Sequence, residues 1–207
     1  AALFSGDYAY FSSFSEQWLT HARRYAAAMA DRFGLTADSQ VVEIAANDGY
    51  LLQYFKAAGI PCLGVEPTRS TARAARDKGI EIVEAFFGTA LARALAAQGK
   101  AADLMIANNV LAHVPDINDF VAGFALLLEP QGVATFEFPH LVELVKHGQF
   151  DTIYHEHFSY LSLHAATRIF AASGLSIFDV EQLPTHGGSL RIHAQRSDRG
   201  AHPLSPR

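Results

Sequence analysis

Short runs rich in Val and Ile alternate along the chain with stretches whose apolar residues recur every three or four positions. These two periods separate buried strands from amphipathic helices. The pattern predicts strands over Gln40–Ala45, Pro61–Glu66, Ile80–Val83, Ala102–Ala107 and Val133–Phe138. Between them it predicts helices over Leu51–Ala58, Thr68–Lys78, Thr89–Gln98 and Asp116–Leu128. Gly79 and Gly99 stop the second and third of these, while Asp116 caps the last and Pro130 ends it. Single helices between successive strands imply right-handed crossovers and a mostly parallel sheet. A helix over Leu163–Ser173 then precedes two strands, Leu175–Glu181 and Ser189–Gln195. Their connection, with Pro184, Gly187 and Gly188, is too short for a crossover helix, so the pair should form an antiparallel hairpin. The expected fold class is α/β, three layers around a mostly parallel seven-stranded sheet with an antiparallel C-terminal hairpin. Ahead of the sheet, Ser15–Phe33 reads as a helix with Trp18, Leu19, Tyr25, Ala26 and Met29 on its apolar side. The expected organisation is an N-terminal lid and helix over residues 1–35, one domain over 36–196 and a polar linker or tail over 197–207.

Composition narrows the class. Of the 207 residues 50% are hydrophobic and 18% charged, with a net charge of −5. That is enough apolar material for a core, and it excludes disordered, collagen-like and disulfide-stapled chains. No uncharged apolar run approaches the roughly 20 residues of a membrane span. The mild acidity lacks the basic stripe of a nucleic-acid binder, so neither a membrane nor a nucleic acid is an expected partner. Cys62 is the single cysteine, which leaves no internal disulfide and fits a reducing, cytoplasmic location. No signal peptide is visible, and the first residue is Ala1 rather than Met, so the chain reads as a processed or excised piece of something longer.

In open α/β sheets ligands bind beyond the carboxyl ends of the strands. After the first strand, Glu43 is followed by Ala45, Asn47, Asp48 and Gly49, with Ala45, Asn47 and Gly49 in three alternate slots that glycine usually fills in ligand-binding turns. Asn tolerates positive φ, whereas Ala45 is the weaker substitution. Such a turn presents backbone N–H groups at a helix N-terminus, which suits the carboxylate of an amino-acid moiety; an ordinary strand–helix turn would carry the same residues. Glu66, followed by Pro67, ends the second strand about 20 residues further on, where a carboxylate can accept both hydroxyls of a ribose and repel a 2′-phosphate; the alternative is a solvated strand-end acid. Phe86 and Phe87 follow the third strand and offer either cover for an adenine or core packing. Asn108 and Asn109 are polar where the sheet opens beyond the fourth strand, beside the expected amino-acid portion of the ligand, and His113 follows.

The densest chemical signal is Tyr154, His155, Glu156 and His157, followed by Tyr160. One reading is metal binding, since His155 and His157 share a face if the segment is extended. The helical His-Glu-x-x-His pattern is absent, however, and the only cysteine is remote, so no metal site is expected. The other reading is proton transfer, with His157 as base, Glu156 as the partner that raises its basicity and fixes its tautomer, and Tyr154 as donor to a developing oxyanion. A polar surface loop is a third. His140 and the run Thr185–Ser189 could line the same cavity, and Tyr8 and Tyr10 could fold over it as a lid or anchor the first helix.

Taken together, the motifs around Glu43–Gly49, Gly64–Pro67, Asn108–His113, Phe136–His140, Phe150–Tyr160 and His186–Arg191 resemble those of the sugar C-methyltransferases of deoxysugar biosynthesis, from about Tyr8 to Gln195. Five parallel strands and a closing hairpin match the Rossmann-like class I methyltransferase layout. The resemblance implies S-adenosylmethionine as methyl donor and a nucleotide-linked keto-sugar as acceptor. It also implies that Tyr8, His113, Tyr154, Glu156 and His157 lie around the sugar. His157 would remove the proton next to the ketone, and Tyr154 and His113 would stabilise the enolate whose carbon takes the methyl group. Such enzymes carry a Cys-rich zinc-binding module in front and a second α/β domain behind, and neither is present here. The alternatives are O- or N-methylation of another small molecule, a non-catalytic S-adenosylmethionine-binding fragment, and an NAD-dependent oxidoreductase. The hairpin ending and the lack of a full Gly-x-Gly-x-x-Gly run disfavour the last.

Overall fold

A computed structural model describes residues 10–205. The chain divides into two compact units, Ala1–Phe87 and Gly88–Arg207. The first holds α1 (Glu16–Phe33), β1 (Val41–Ile44), α2 (Leu52–Ala57), β2 (Cys62–Val65), α3 (Arg69–Asp77) and β3 (Glu81–Val83). The second holds α4 (Thr89–Ala97), β4 (Ala102–Asn108), α5 (Ile117–Leu127), β5 (Leu128–Pro139), α6 (Leu141–His147), α7 (Leu163–Ala172), β6 (Leu175–Leu183) and β7 (Ser189–Arg196). The strands follow the order β3-β2-β1-β4-β5-β7-β6 in a seven-stranded sheet. It is the mostly parallel α/β sheet that the strand and helix periods predict.

In the first unit, β1 pairs with β2 and β2 with β3, all parallel. β1 is buried along its whole length, as a strand covered on both faces must be. In α1 the residues Ala22, Tyr25, Ala26 and Met29 are buried, the i, i+3, i+4, i+7 stripe of a helix with one core face. Ser15 caps its start by accepting from the Trp18 amide, and Gly34 ends it in the left-handed conformation. Burial pushes the Cys62 thiol up to about 11, with Glu43 adding to the shift, so the single cysteine is an inert thiol.

In the second unit, β4 pairs parallel with β5, and β7 lies between β5 and β6, antiparallel to both. The hairpin is therefore present, and its second strand is the one inserted against the parallel part. β5 is longer than the apolar run predicts. It starts at Leu128, directly after α5, and a register shift between Ala102 and Leu104 absorbs the polar residues before Val133. Phe120, Phe124, Phe136 and Phe170 form a chain of ring contacts at 4.5–5.4 Å that ties α5 and α7 to β5. The short helix α6 is not anticipated from the sequence, because it buries none of its residues and so shows no core stripe. Its signals are the Gly148 cap in the left-handed conformation and the Glu143–His147 contact one turn apart. Beyond β7, Gln195 binds the His202 backbone at both ends of its amide, and the His202 ring stacks on Phe178.

Charge is buried inside the hairpin. Glu137 on β5 is fully buried, and Arg191 on β7 meets it at 2.8 Å. Arg191 also reaches Glu181 at 3.4 Å, which in turn binds the buried His193 at 2.7 Å. The other Glu137 oxygen accepts from the Thr185 hydroxyl, so the network locks the turn between β6 and β7 to the end of β5. Replacing Arg191 by Met leaves a buried carboxylate without its cation and is expected to cost about 3–5 kcal/mol in urea unfolding. The double variant Glu137→Gln, Arg191→Met should recover part of that loss.

Candidate active site

The turn after β1 shows why its composition matters. Ala45, Asn47 and Gly49 all adopt positive φ, at 59°, 50° and 74°. The three alternate slots are thus all left-handed, although only one holds glycine. At Gly49 space is also closed, since a Cβ there would run into Ile80 Cδ1 and lie 3.2 Å from the Ala75 methyl. Two contacts hold the turn from outside. The Glu66 carboxylate accepts from the Asn47 amide and from the Thr68 amide, both at 2.9 Å. The Asn47 side chain accepts from the Ser12 amide at 3.0 Å and donates to the Tyr10 carbonyl at 3.0 Å, which straps the N-terminal segment to the turn. Asp48 accepts from the Ser13 amide, while Lys78 binds its carbonyl at 2.7 Å and its carboxylate at 3.4 Å. Asp48 therefore ties down the strap, a role that Lys78, a surface-type residue, did not signal in the sequence.

Glu43, on β1, is buried, with the Tyr50 hydroxyl beside its carboxyl group. Burial holds its pKa well above the ordinary carboxylate value; the Tyr50 hydroxyl opposes this, and the charges of Glu66 and Asp48 add to it. One Asp48 oxygen is buried without a partner. Buried acceptors of this kind fit a donor-rich ligand with an amino group and ribose hydroxyls. Pro67 is half-buried behind Glu66. Phe86 is 59% exposed, which removes the core-packing alternative for that ring, and Phe87 is half-buried. The side-chain polar atoms of Asn108 and Asn109, at the end of β4, are all buried without protein partners. Asn109 is left-handed as well, with φ 53°. Tyr8 lies outside the described residues, and the Tyr10 side chain is exposed.

The residues expected to transfer a proton lie close together in the second unit. The His113 and His157 rings meet edge-on at 4.7 Å, Tyr154 packs on His157 at 4.1 Å, and Tyr160 meets it at 5.5 Å. His155 is exposed in the same turn. Backbone carbonyls fix both imidazoles. His157 Nδ1 lies 3.1 Å from the Thr152 oxygen, and His113 Nδ1 lies 3.0 Å from the Glu156 oxygen. A carbonyl oxygen only accepts, so each Nδ1 carries the proton and each neutral ring has its lone pair at Nε2.

This corrects two expectations. The tautomer of His157 is fixed by Thr152, because the helical turn Phe150–Thr152 turns that carbonyl towards the ring; Glu156 acts on it only through charge. A neutral His113 accepts at Nε2, so it is unsuited to donate to an enolate. Thr152 was missed because a backbone carbonyl leaves no trace in residue type. Burial lowers the pKa of His157 and of His113, the latter further through His157, so both rings are neutral near pH 7. Burial first, then Glu156 and Tyr160, raises the Tyr154 pKa and keeps its hydroxyl protonated. No group of three His, Cys, Asp or Glu side chains among the described residues is arranged to hold a metal ion. No helix among them is long and apolar enough to cross a membrane.

Fold and site together define a methyltransferase of the S-adenosylmethionine-dependent class. The family model "Methyltransferase domain" matches residues 18–180, and the chain belongs to that family. It is 39% identical over 189 residues to the C-methyltransferase NovU of Streptomyces niveus, covering 91% of this chain and 45% of that protein, so it spans about half the length of this curated relative. Among solved structures, the magnesium protoporphyrin IX methyltransferase of Synechocystis PCC 6803 with bound SAH shares the fold at a TM-score of 0.66 and 16% identity, over 86% of this chain and 83% of that one. The PH0226 protein of Pyrococcus horikoshii reaches 0.73 at 14% identity, over 90% and 94%.

Ala45 tests the strain in the turn. A left-handed alanine costs about 1–2 kcal/mol, part of which glycine returns as lost chain entropy. Ala45→Gly is therefore expected to stabilise the chain by about 0.5–1 kcal/mol and raise the unfolding midpoint in calorimetry by roughly 1–4 °C. A lower midpoint would contradict this reading of the turn.

Proposed function

We propose that the chain transfers a methyl group from S-adenosylmethionine to the carbon next to the ketone of a nucleotide-linked keto-deoxysugar. The observation that carries this is the oriented His157, whose Nδ1 is held by the Thr152 carbonyl while Nε2 keeps its lone pair. When bound, S-adenosylmethionine supplies an electrophilic methyl group, and the acidic side chains of Glu43 and Glu66 in the first unit are groups that would hold it. His157 Nε2 takes the proton from the carbon next to the ketone. The nearby Glu156 charge favours the imidazolium that results. Tyr154, kept protonated, donates to the oxyanion that develops at the ketone. His113, neutral and fixed, accepts rather than donates. The name of the relative NovU, a C-methyltransferase, supports methylation at carbon. The motif resemblance supports the sugar as acceptor. In a longer protein, a zinc-binding module and a second α/β domain would share in holding the nucleotide.

Assay of nucleotide-linked keto-sugars against alcohols and amines tests this directly, and methylation only at oxygen or nitrogen sinks the carbon assignment. His157→Asn is expected to lose about 10²–10⁴-fold in turnover while binding S-adenosylhomocysteine normally in calorimetry. The base works unprotonated, so kcat/KM should fall as pH drops through the lowered His157 pKa, below the ordinary histidine value near 6.5, and stay flat above it. Loss of donor binding with turnover retained in His157→Asn would reject the role.

A further inference from the structure

A buried polar atom without a hydrogen bond costs about 1–3 kcal/mol, so native chains keep few of them and each calls for a reason. Beside the proton-transfer cluster stand two that the mechanism does not use, Ser159 Oγ and His140 Nδ1. The backbone that carries them is fixed at three points. The Phe158 and Ser159 amides both donate to the Ala112 carbonyl, at 2.8 and 3.3 Å, next to His113. Leu161 bridges His140 in parallel, and its carbonyl accepts from the Leu141 amide at 3.0 Å. The His140 amide in turn donates to the Gly188 carbonyl at 2.9 Å, in the turn between β6 and β7. Ser159 stands two residues from the base His157, and His140 follows directly on the last residue of β5, at the carboxyl edge where open α/β sheets bind ligands.

The chemistry of the pair is specific. Ser159 brings a hydroxyl that both donates and accepts, and burial keeps His140 neutral, so its ring donates at one nitrogen and accepts at the other. Neither is a cation. Neutral groups of mixed donor and acceptor character match the hydroxyls of a sugar ring, which also both donate and accept.

We infer that Ser159 and His140 contact hydroxyls of the sugar acceptor and hold its ring for proton removal by His157. The inference rests on the keto-sugar reading above. It predicts that Ser159→Ala and His140→Asn, in the protein at its full natural length, each raise KM for the nucleotide-linked keto-sugar about tenfold, the loss of roughly one hydrogen bond. Both should leave kcat within about threefold and S-adenosylhomocysteine affinity unchanged. Ser159→Ala should not lower the thermal midpoint, because the hydroxyl it removes has no protein partner. A substrate lacking the contacted hydroxyl should lose no further affinity in that variant. Unchanged KM in both variants, with wild-type keto-sugar turnover intact, overturns this inference alone. A lower midpoint with unchanged KM also overturns it, since the groups are then structural. Absence of keto-sugar turnover in the wild type overturns the functional reading on which it stands.

Discussion

Glu66 at the end of β2 accepts the Asn47 and Thr68 amides, and through the first of these it sets the turn after β1. That turn places three left-handed residues at alternate positions, two of them with side chains. Residues in that region cost free energy and persist only where the surroundings over-determine them. Here the surroundings are Glu66, the closed space at Gly49 and the strap from Tyr10 to Ser13, which uses the Asn47 side chain as donor and acceptor. Asn47 does two things that glycine could not do together. It tolerates the conformation, and it anchors a neighbouring segment.

In the second unit the equivalent control lies in backbone carbonyls. Thr152 and Glu156 each offer an oxygen to an imidazole Nδ1, and in doing so they decide which nitrogen of His157 and His113 is basic. Two histidines 4.7 Å apart would repel if both were protonated, and burial already keeps each one neutral. The result is one oriented neutral imidazole, His157, with a neutral neighbour and a protonated phenol. The buried Glu137–Arg191 pair holds the turn between β6 and β7 against the end of β5, where His140 stands.

Much of this was legible in residue types. Short, largely apolar runs fell where β1, β2 and β4 lie, because a parallel strand covered on both faces reads as a near-continuous apolar run. The hairpin followed from a connection too short to cross the sheet. Alternate small or Asn residues after β1 marked the left-handed turn, since few other residues enter that region. Other features carried no such mark. α6 buries nothing, so no periodic stripe announces it. β5 begins five residues before its apolar run, because the register shift near Ala102 accommodates the polar residues between Leu128 and Val133.

The candidate residues were visible in the sequence because chemistry depends on side-chain type: His, Tyr, Glu and Asn in dense runs where loops follow strands. Their roles were not, because roles depend on which atom faces which. Glu156 sits beside His157 in the chain, yet the carbonyl of Thr152, five residues away, reaches its ring. Ser159 looks unremarkable in sequence and His140 only marks a possible cavity wall, and only the packed structure leaves their polar atoms buried without protein partners. The sequence by itself determined which elements form and which chemical groups are present, since those follow from local pattern and composition. The tertiary structure decided tautomers, charge states and unpaired atoms, since hydrogen bonds and burial are properties of neighbours in space.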